Sequence, residues 1–544
     1  MKKRFLLGMI LVCMLLCGLM IGHRTITVTK SDQSNAEYQK VMKHLEVIAK
    51  EAHPSGTEEI ERVRHYLKDV FDGLGCNYIE ESFHTKSNRF AAVIPDVEFV
   101  NLLVTIDVPE TTDGVMLVSH YDSTSGGPGA ADDGISVASM LVALEQSMNA
   151  YQAGTLKNDM YFLFTDGEEM GMVGAAYFVN NHTDMQEHIK LVANFEARGN
   201  DGTLLMFQTS PNNNNLLRQL KKAVSNLDAF SVTASLYERM PNYTDLTEFL
   251  DAGYTSCLDF AMIDGSETYH QNTDNFENIS HDSAYRYYET VTEVSDYFGS
   301  SDLDLLTDDE DGVFFPTVLG KVFILSSSFA NVSIILLSIL ALLWILIFIM
   351  KKKMHGIEIC KAFALLIVVI LMAAVFNKGY LYCIKPILEV NRPVAEAMDL
   401  LGKVNIVQAA LICLLATFLT VGISKHVKSH QEHILFAMII CVVGGIALMV
   451  LLDCLIYLFL LPLFILLVQS VTIYYMEEHG KKIQGVNWFF TLSMIIAMSV
   501  ILYPLMKVIF DAFGNDFMLY LALVEAFGVY MVNVCFIGNF LDSY

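Results

Sequence analysis

The chain has 544 residues, of which 53% are hydrophobic and only 17% are charged, and its mean hydropathy is +0.42. Water-soluble domains carry about a quarter charged residues, so this composition excludes a purely water-soluble protein. The net charge of −25 is unevenly spread: residues 24–317 hold 48 Asp and Glu against 18 Lys and Arg, a balance of −30, and the rest carries +5. This asymmetry predicts a water-soluble acidic domain joined to a membrane domain and argues against nucleic-acid binding.

The N-terminus begins with the basic residues Lys2 to Arg4, followed by an apolar run from Phe5 to Ile21. This run is about the shortest that can cross a hydrocarbon core of about 30 Å. It is a signal peptide or an anchor. Because no small-residue cleavage site follows it cleanly, we favour an uncleaved transmembrane anchor over residues 1–23. The segment that follows is then exported.

Residues 24–312 alternate between helical and strand-like patterns. The predicted helices are 37–50, 58–74, 135–150 and 215–227, and the predicted strands are 99–106, 115–119, 160–165, 191–195 and 257–262. Such alternation predicts an α/β fold, namely an α/β/α sandwich around a mixed, largely parallel sheet. Only Cys76 and Cys257 of the ten cysteines lie in this region. The sequence leaves open whether they form a disulfide or are two buried free thiols.

Residues 313–544 follow an acidic segment and contain seven apolar stretches, which predict an all-α membrane domain. The stretches are about 322–350, 357–376, 406–423, 434–452, 455–476, 488–509 and 517–540. Basic residues fall at alternate loops of the resulting eight spans, at 2–4, 351–361, 425–428 and 481–482. The positive-inside rule therefore places these loops and the C-terminal Tyr544 in the cytoplasm, and the acidic domain and the loop 377–403 outside it. A bacterial plasma membrane is the favoured location, with an endomembrane compartment as the alternative.

Two acids lie at or near bilayer depth in this domain. We interpret Asp453, between the fifth and sixth spans, as a loop residue. Glu525, within the eighth span, is the better candidate for an internal polar contact, with Asn533 a turn or two further on.

Four predicted strands of the acidic domain lead into side chains that can bind metal. In chain order these are His120 with Asp122, Glu168 with Glu169, Glu196, and Tyr269-His270 with Asp274 four residues later. The carboxyl ends of parallel strands meet at one edge of a sheet, where open α/β folds place their sites. The sequence therefore predicts a metal site at this edge.

The local spacing supports this prediction. His120 and Asp122 lie on the same side of an extended segment, so the carboxylate can orient the imidazole ring for a metal. Asp132 lies in the segment 129–134, which opens a helix. Glu168 and Glu169 follow a strand directly and cannot share one face of the turn, so one can bind metal while the other acts on water.

With these residues in view, the sequence resembles peptidase family M28, which comprises zinc metallopeptidases and related enzymes with an aminopeptidase-like fold. The resemblance covers residues 36 to about 299, and its first motif is the run His53-Pro54-Ser55-Gly56-Thr57. The run 194–199, Asn-Phe-Glu-Ala-Arg-Gly, is similar to the membrane-embedded branch of endoplasmic-reticulum metallopeptidases and vacuolar membrane proteases. Glu196 stands where the soluble aminopeptidases have Asp, so this ligand is one methylene longer.

The resemblance implies a site for two Zn²⁺ ions. The implied ligands are His120, Asp132, Glu169, Glu196 and His270. Asp132 would bridge both ions, His120 and Glu196 would hold one of them, and Glu169 and His270 would hold the other. The resemblance also implies a cis peptide bond between Asp132 and Asp133.

Other residues receive implied roles around these ligands. Glu168 would be the general base, Asp122 the partner of His120, and Tyr269 a donor to the developing oxyanion. Asp245 resembles a structural acid of the family, not a ligand. Arg198, two residues past a ligand, could bind a substrate carboxylate or could pair with one of the domain's many acids.

The favoured function is a membrane-anchored di-zinc exopeptidase, of the aminopeptidase type, that hydrolyses peptide bonds. A glutaminyl cyclase-like enzyme or an acyl-amide hydrolase of the same fold is one alternative, although the cyclase branch departs from the full ligand set present here. A transporter or receptor with a peptidase-like binding domain is another. The intact Glu168 and the five ligands speak against it.

Overall fold

The computed structural model describes residues 2–25, 30–240, 242–316, 322–351, 355–388, 394–423, 426–513 and 518–541. The chain divides into two compact units. The first, here called the α/β unit, comprises Thr27–Phe314 and Gly320–Ile324. The second, here called the helical unit, comprises Met1–Ile26, Phe315–Leu319 and Leu325–Tyr544.

An eight-stranded sheet forms the centre of the α/β unit. Its strands are β1 (Asn77–Phe83), β2 (Phe99–Ile106), β3 (Gly114–His120), β4 (Asp159–Thr165), β5 (Ile189–Ala197), β6 (Asp201–Thr209), β7 (Asp228–Ala229) and β8 (Cys257–Asp264), in the order β1-β2-β4-β3-β5-β8-β6-β7. The central strands β4, β3, β5 and β8 are parallel. Strand β2 pairs antiparallel with both β1 and β4, and β6 pairs antiparallel with β8 but parallel with β7. The predicted α/β fold with a mixed, largely parallel sheet is confirmed.

Helices pack on both faces of this sheet. They are α2 (Ala36–Ile48), α3 (Glu58–Leu74), α4 (Ile135–Gln152), α5 (Val173–Asn181), α6 (Asn214–Ala223), α7 (Ser231–Tyr237), α8 (Asp245–Ala252) and α9 (His281–Ser300). Side chains alternate along each strand, so Leu117 lies in one core cluster and the adjacent Val118 in the other. Cys257 belongs to the second cluster and Cys76 packs against the first, on the opposite face of the sheet. Both are free thiols.

The sequence patterns predicted the central parallel strands but not every buried element, because the largely buried β6 and α9 were not predicted. Helix α3 spans the predicted 58–74 because Thr57 caps its N-terminus and Gly75 ends it with a φ of 70°. Strand β1 was not predicted. It pairs only with β2 at the edge of the sheet, and most of its residues are exposed, so its sequence lacks the apolar run that marks a central strand.

The helical unit consists of long apolar helices. They are α1 (Lys2–Thr25), α10 (Ser327–Lys351), α11 (Gly356–Leu388), α12 (Val394–Ile423), α13 (His430–Leu451), α14 (Tyr457–Glu478), α15 (Gln484–Phe513) and α16 (Met518–Leu541), and the short strands β9 (Gly312–Pro316) and β10 (Val322–Ser326) pair before α10. Within the described residues, six segments are long and apolar enough to cross a bilayer, and two shorter apolar segments are Leu6–Gly22 and Val407–Thr420. The protein is therefore a multi-pass membrane protein. The count of eight spans stays a prediction, and Tyr544, whose side we predicted, lies outside the described residues.

Two details of the predicted membrane domain were wrong. Most of the predicted loop 377–403 is helical, because α11 extends to Leu388 and α12 begins at Val394. A helix of 33 residues is about 50 Å long and therefore extends beyond a hydrocarbon core of about 30 Å, so loss of hydropathy does not mark its end. The expected internal polar contact of Glu525 does not occur among the described residues, whose side chains leave both of its carboxylate oxygens unpartnered. Asn533 donates to the carbonyl of Ala416 and lies eight residues, about 12 Å, from Glu525 along one helix. Asp453, by contrast, is exposed between α13 and α14, as expected.

Candidate metal centre

The candidate site lies at the carboxyl ends of β3, β4, β5 and β8. Parallel pairing places His120 beside Thr165 at the ends of β3 and β4, and Glu196 beside Ala261 in β5 and β8. The segments that follow β4 and β8 therefore turn over the same edge of the sheet. This geometry brings together the side chains that the sequence predicted to share a site.

Asp132 lies between two histidines. Its Oδ1 is 3.3 Å from Nε2 of His120, and its Oδ2 is 3.4 Å from Nε2 of His270. Oε2 of Glu196 lies 3.6 Å from the first of these nitrogens, and Oε2 of Glu169 lies 3.2 Å from the second. The five predicted ligands thus form two pairs around one carboxylate. We call His120 with Glu196 the inner half and His270 with Glu169 the outer half.

Several ligand atoms in both halves lack a hydrogen-bond partner. In the part of the chain that the structure describes, Nε2 of His120, Nε2 of His270 and Oε1 of Glu169 are buried and unpartnered. Leaving a buried polar atom unpaired costs about 1–3 kcal/mol. Imidazole nitrogens and carboxylate oxygens are also ligands that zinc prefers. The residues therefore fit a metal cation in each half.

Asp133 is a neighbour of the inner half that the sequence reasoning missed. Asp133 offers a carboxylate oxygen close to the inner half: one potential ligand atom from each of His120, Asp133 and Glu196 lies within 4.8 Å of the other two. Both carboxylate oxygens of Asp133 are occupied, because Oδ2 accepts the Ser119 hydroxyl at 2.5 Å and Oδ1 accepts the Ser136 hydroxyl. Burial raises the pKa of this carboxyl well above its ordinary range. A carboxyl already held by two hydroxyls is a poorer ligand than Asp132.

Asp274 holds the backbone that carries Asp132. Its Oδ1 accepts the N–H of Ala131 at 2.7 Å, and its Oδ2 accepts the N–H of Asp132 at 3.1 Å. Burial, and then the charge of Asp132, raise the pKa of Asp274 to about 7. The next peptide bond, between Asp132 and Asp133, is cis, which confirms the prediction from the family resemblance.

Asp122 connects the end of β3 to the turn after β4. Nδ1 of His120 donates to the Asp122 carbonyl oxygen at 2.9 Å and lies 3.3 Å from its carboxylate. Because a carbonyl oxygen only accepts, we assign the proton to Nδ1, which leaves Nε2 free to bind a metal. The Asp122 carboxylate also accepts the N–H groups of Glu168 and Glu169, at 3.2 and 3.3 Å. One residue thus positions both a ligand and the predicted base.

Burial and neighbouring charges shift the pKa values of the side chains in the site. Burial, and then the charge of Glu196, raise the pKa of Glu168 well above the ordinary value. Burial alone would lower the pKa of His270, but the carboxylates of Asp132 and Glu169 outweigh it and raise the pKa to about 10. For His120, too, neighbouring carboxylates outweigh burial, and its pKa lies well above the ordinary value. Without a metal, both imidazoles are therefore in the cationic form, with a proton on each ring nitrogen, and the surrounding carboxylates stabilise that charge.

Tyr269 and Arg198 lie beside the outer half. The Tyr269 ring stacks on the His270 ring with 3.7 Å between centroids, and the Arg198 guanidinium lies 5.9 Å from the Tyr269 centroid. Although 36% of Tyr269 is exposed, desolvation of its hydroxyl, and then the charge of Asp132, raise its pKa, so the hydroxyl keeps its proton. Arg198 is exposed. Asp245 is buried and accepts the Thr165 hydroxyl, and burial raises its pKa to about 7.

Comparison with known proteins identifies the family of this region. Residues 101–295 match the profile of Peptidase family M28. Endoplasmic reticulum metallopeptidase 1 of Rattus norvegicus is 30% identical over 191 residues, which are 35% of this chain and 21% of that protein. The vacuolar membrane protease of Meyerozyma guilliermondii is 24% identical over 325 residues, which are 56% of this chain and 32% of that protein. The chain therefore spans well under half the length of these curated relatives.

Solved structures with a similar chain trace include an aminopeptidase from Aneurinibacillus sp. strain AM-1, with a TM-score of 0.39, 12% identity and coverage of 47% of this chain and 93% of that chain. A glutaminyl cyclase from Fimbriiglobus ruber gives a TM-score of 0.40 at 16% identity and covers 51% of this chain and 98% of that chain. The segment matched by the family profile runs from β2 into α9 and includes both halves of the candidate metal centre. The chain therefore contains a domain of peptidase family M28.

Proposed function

We propose that the chain is a membrane-anchored, zinc-dependent exopeptidase of the aminopeptidase type. The observation that carries this proposal is the single carboxylate of Asp132, which faces His120 with one oxygen and His270 with the other. A carboxylate shared by two histidine and glutamate pairs suits a pair of metal ions. The family match over residues 101–295 and the names of the two relatives support peptidase chemistry.

Two zinc ions would share Asp132. His120 and Glu196 would complete the inner position, and Glu169 and His270 the outer one. Bound zinc would supply Lewis acidity to water and to the carbonyl of the substrate. The unpartnered Nε2 atoms of both histidines support this assignment.

Glu168 would act as the general base. It would take a proton from the attacking water and deliver that proton to the leaving amine. Burial, and then the charge of Glu196, raise its pKa, and a raised pKa favours the step in which Glu168 holds the proton before it passes to the amine. The hydrogen bond from its backbone N–H to Asp122 would hold Glu168 in place during both transfers.

Two further residues would contact the substrate. The Tyr269 hydroxyl, which keeps its proton, would donate to the oxyanion that forms from the peptide carbonyl. Arg198 would bind a carboxylate of a short peptide through its guanidinium. Its exposure and its place over the Tyr269 ring support this, and no ion pair to Arg198 occurs among the described residues.

The anchor and membrane domain would hold this peptidase at a bilayer. We propose an anchor over residues 1–23, a peptidase domain over 24–312 outside the cytoplasm, and a membrane domain over 313–544. The basic residues at alternate loops support this orientation.

The proposal is tested with the purified full-length chain and zinc-replete buffer. We expect release of the first residue from peptides and aminoacyl amides with a free α-amine, and no cleavage of the same peptides after N-acetylation. Elemental analysis should give about two zinc ions per chain. Formation of pyroglutamate and ammonia from N-terminal glutaminyl peptides, without release of a residue, would identify a cyclase instead. Peptide binding without any turnover would favour a receptor or transporter.

A further inference from the structure

The helical unit contains a buried acid that the proposed peptidase does not use. Glu525 lies near the start of α16, within the candidate span Leu521–Asn539. Glu525 is 7% exposed, and neither of its carboxylate oxygens has a hydrogen-bond partner among the described residues. Ionisable residues at bilayer depth are costly and mark functional sites by default.

Glu525 lines a partly open cavity of about 50 Å³ between α1, α12, α15 and α16. Most of its lining is apolar, and two hydroxyl-bearing residues, Ser499 and Tyr503, also line it. The apolar part includes Leu15, Cys413, Met498, Leu502 and Val529. The described residues that line this cavity include no Lys, Arg or His, so the protein itself supplies no cation there. An ordered water needs about 10–15 Å³ of such a volume, so there is room for a few non-hydrogen atoms.

The unpaired carboxylate and the mostly apolar walls of this cavity determine which class of ligand fits it. An unpaired carboxylate among apolar walls is strongly disfavoured, and protonation alone still leaves its O–H and C=O without partners. An anionic head group would be repelled by the carboxylate, and a purely apolar molecule would leave both oxygens unsatisfied. An alkylammonium group neutralises the charge and donates to both oxygens, and its carbon chain covers the walls and leaves through the open side.

We propose that this cavity binds the ammonium group of an aliphatic primary amine, with Glu525 as the acceptor. The site belongs to the helical unit and is independent of the metal centre. Its ligand is therefore distinct from the peptide substrate of the proposed peptidase.

The test measures equilibrium binding of radiolabelled dodecylamine to the full-length chain in phosphatidylcholine nanodiscs, with empty nanodiscs as background. We expect saturable binding of about one dodecylamine per chain, which unlabelled dodecylamine displaces and dodecanol of the same length does not. Glu525→Gln keeps the shape of the side chain and should weaken binding at least tenfold. Asp453→Asn, which removes an exposed acid at the α13–α14 connection, should leave binding unchanged.

A second variant keeps the carboxyl and fills the space. Ala409, on the α12 wall, is 3% exposed, and Ala409→Leu should also weaken dodecylamine binding at least tenfold. Size-exclusion chromatography of each variant confirms that the chain is folded and monodisperse. Binding to Glu525→Gln or to Ala409→Leu that matches the unmodified chain would overturn the proposal, and so would displacement by dodecanol as effective as that by dodecylamine.

Discussion

The inner and outer halves of the candidate metal centre contain the same residue types but differ in support and exposure. His120 ends β3 and Glu196 lies within β5, and their side chains are 0% and 8% exposed. His270 and Glu169 lie in segments that follow β8 and β4, and their side chains are 37% and 10% exposed, so the difference in exposure comes from the histidine. His270 also has a φ of 59°, in the left-handed region that favours glycine. Strands therefore build the inner half, and loops build the outer half.

This difference shows how one site can combine a rigid and an accessible position. Ligands on strands keep their geometry through the hydrogen bonds of the sheet, whereas ligands on loops depend on contacts between loops. The Asp132 carboxylate faces both halves, with one oxygen toward His120 and the other toward His270, and Asp274 holds the backbone of Asp132. We therefore expect substitutions of shared residues to affect the whole centre, and conditions that act on exposed ligands to affect the outer half first.

The largest effect is expected from Asp132→Ala, because this change removes the one ligand that both halves share. Zinc content by elemental analysis should fall from about two per chain to near zero, and peptidase activity should fall to background. Asp184→Ala, at an exposed acid, is the matched control and should leave both values unchanged. If the Asp132 variant retained one tightly bound zinc, the two halves would be independent sites.

Glu168→Gln should separate catalysis from metal binding in both halves. It removes the proposed base and no ligand, so kcat should fall by about 10² to 10⁴ while zinc content stays near two per chain. Glu187→Gln makes the same chemical change at an exposed position and should have no effect. Near-normal turnover in the Glu168 variant would show that another group accepts the proton.

Asp274→Asn should loosen the shared ligand without removing it. The amide can still accept one backbone N–H, but its NH₂ group then faces the other, so the loop that carries Asp132 loses an anchor. Loss of such a supporting contact weakens metal affinity by about 10- to 100-fold. Competition with a chromophoric chelator measures this change, with Asp304→Asn as the exposed control. Unchanged zinc affinity would mean that the cis segment holds its position without Asp274.

Measured per pH unit, the pH dependence at the outer half is expected to have the least effect. The pKa of His270 is about 10 without metal, so its imidazole is protonated from pH 6 to 8 and must release that proton to bind zinc. Zinc affinity should therefore rise with pH, by about tenfold per unit for each proton released. The stability of the metal-free fold should change with pH in the opposite direction to zinc affinity. The raised pKa of His270 stabilises the fold below about pH 6.5, and this contribution is lost as pH rises through about 10. A pH-independent zinc affinity would contradict the proton competition.

Much of the candidate site could be predicted from the sequence, because its ligands lie at the ends of strands with clear apolar runs. His120, Glu169, Glu196 and His270 each end or follow such a strand. Parallel pairing then brings them to one edge regardless of the details of packing. The edge strand β1 and the helical continuation of α11 carry weaker patterns, and the sequence analysis missed both.

The two-part composition, the class of fold and the residues that can bind metal could be read from the amino-acid sequence, since these depend on local apolar patterns and on residue type. The three-dimensional packing was needed to show which oxygens face which histidine, that serine hydroxyls occupy Asp133, and that Asp274 holds the Asp132 backbone. These contacts join residues at very different separations in the chain, 14 positions for Ser119 and Asp133 and 143 for Ala131 and Asp274. Their spacing follows no helical or strand period, so no local pattern in the sequence could reveal them.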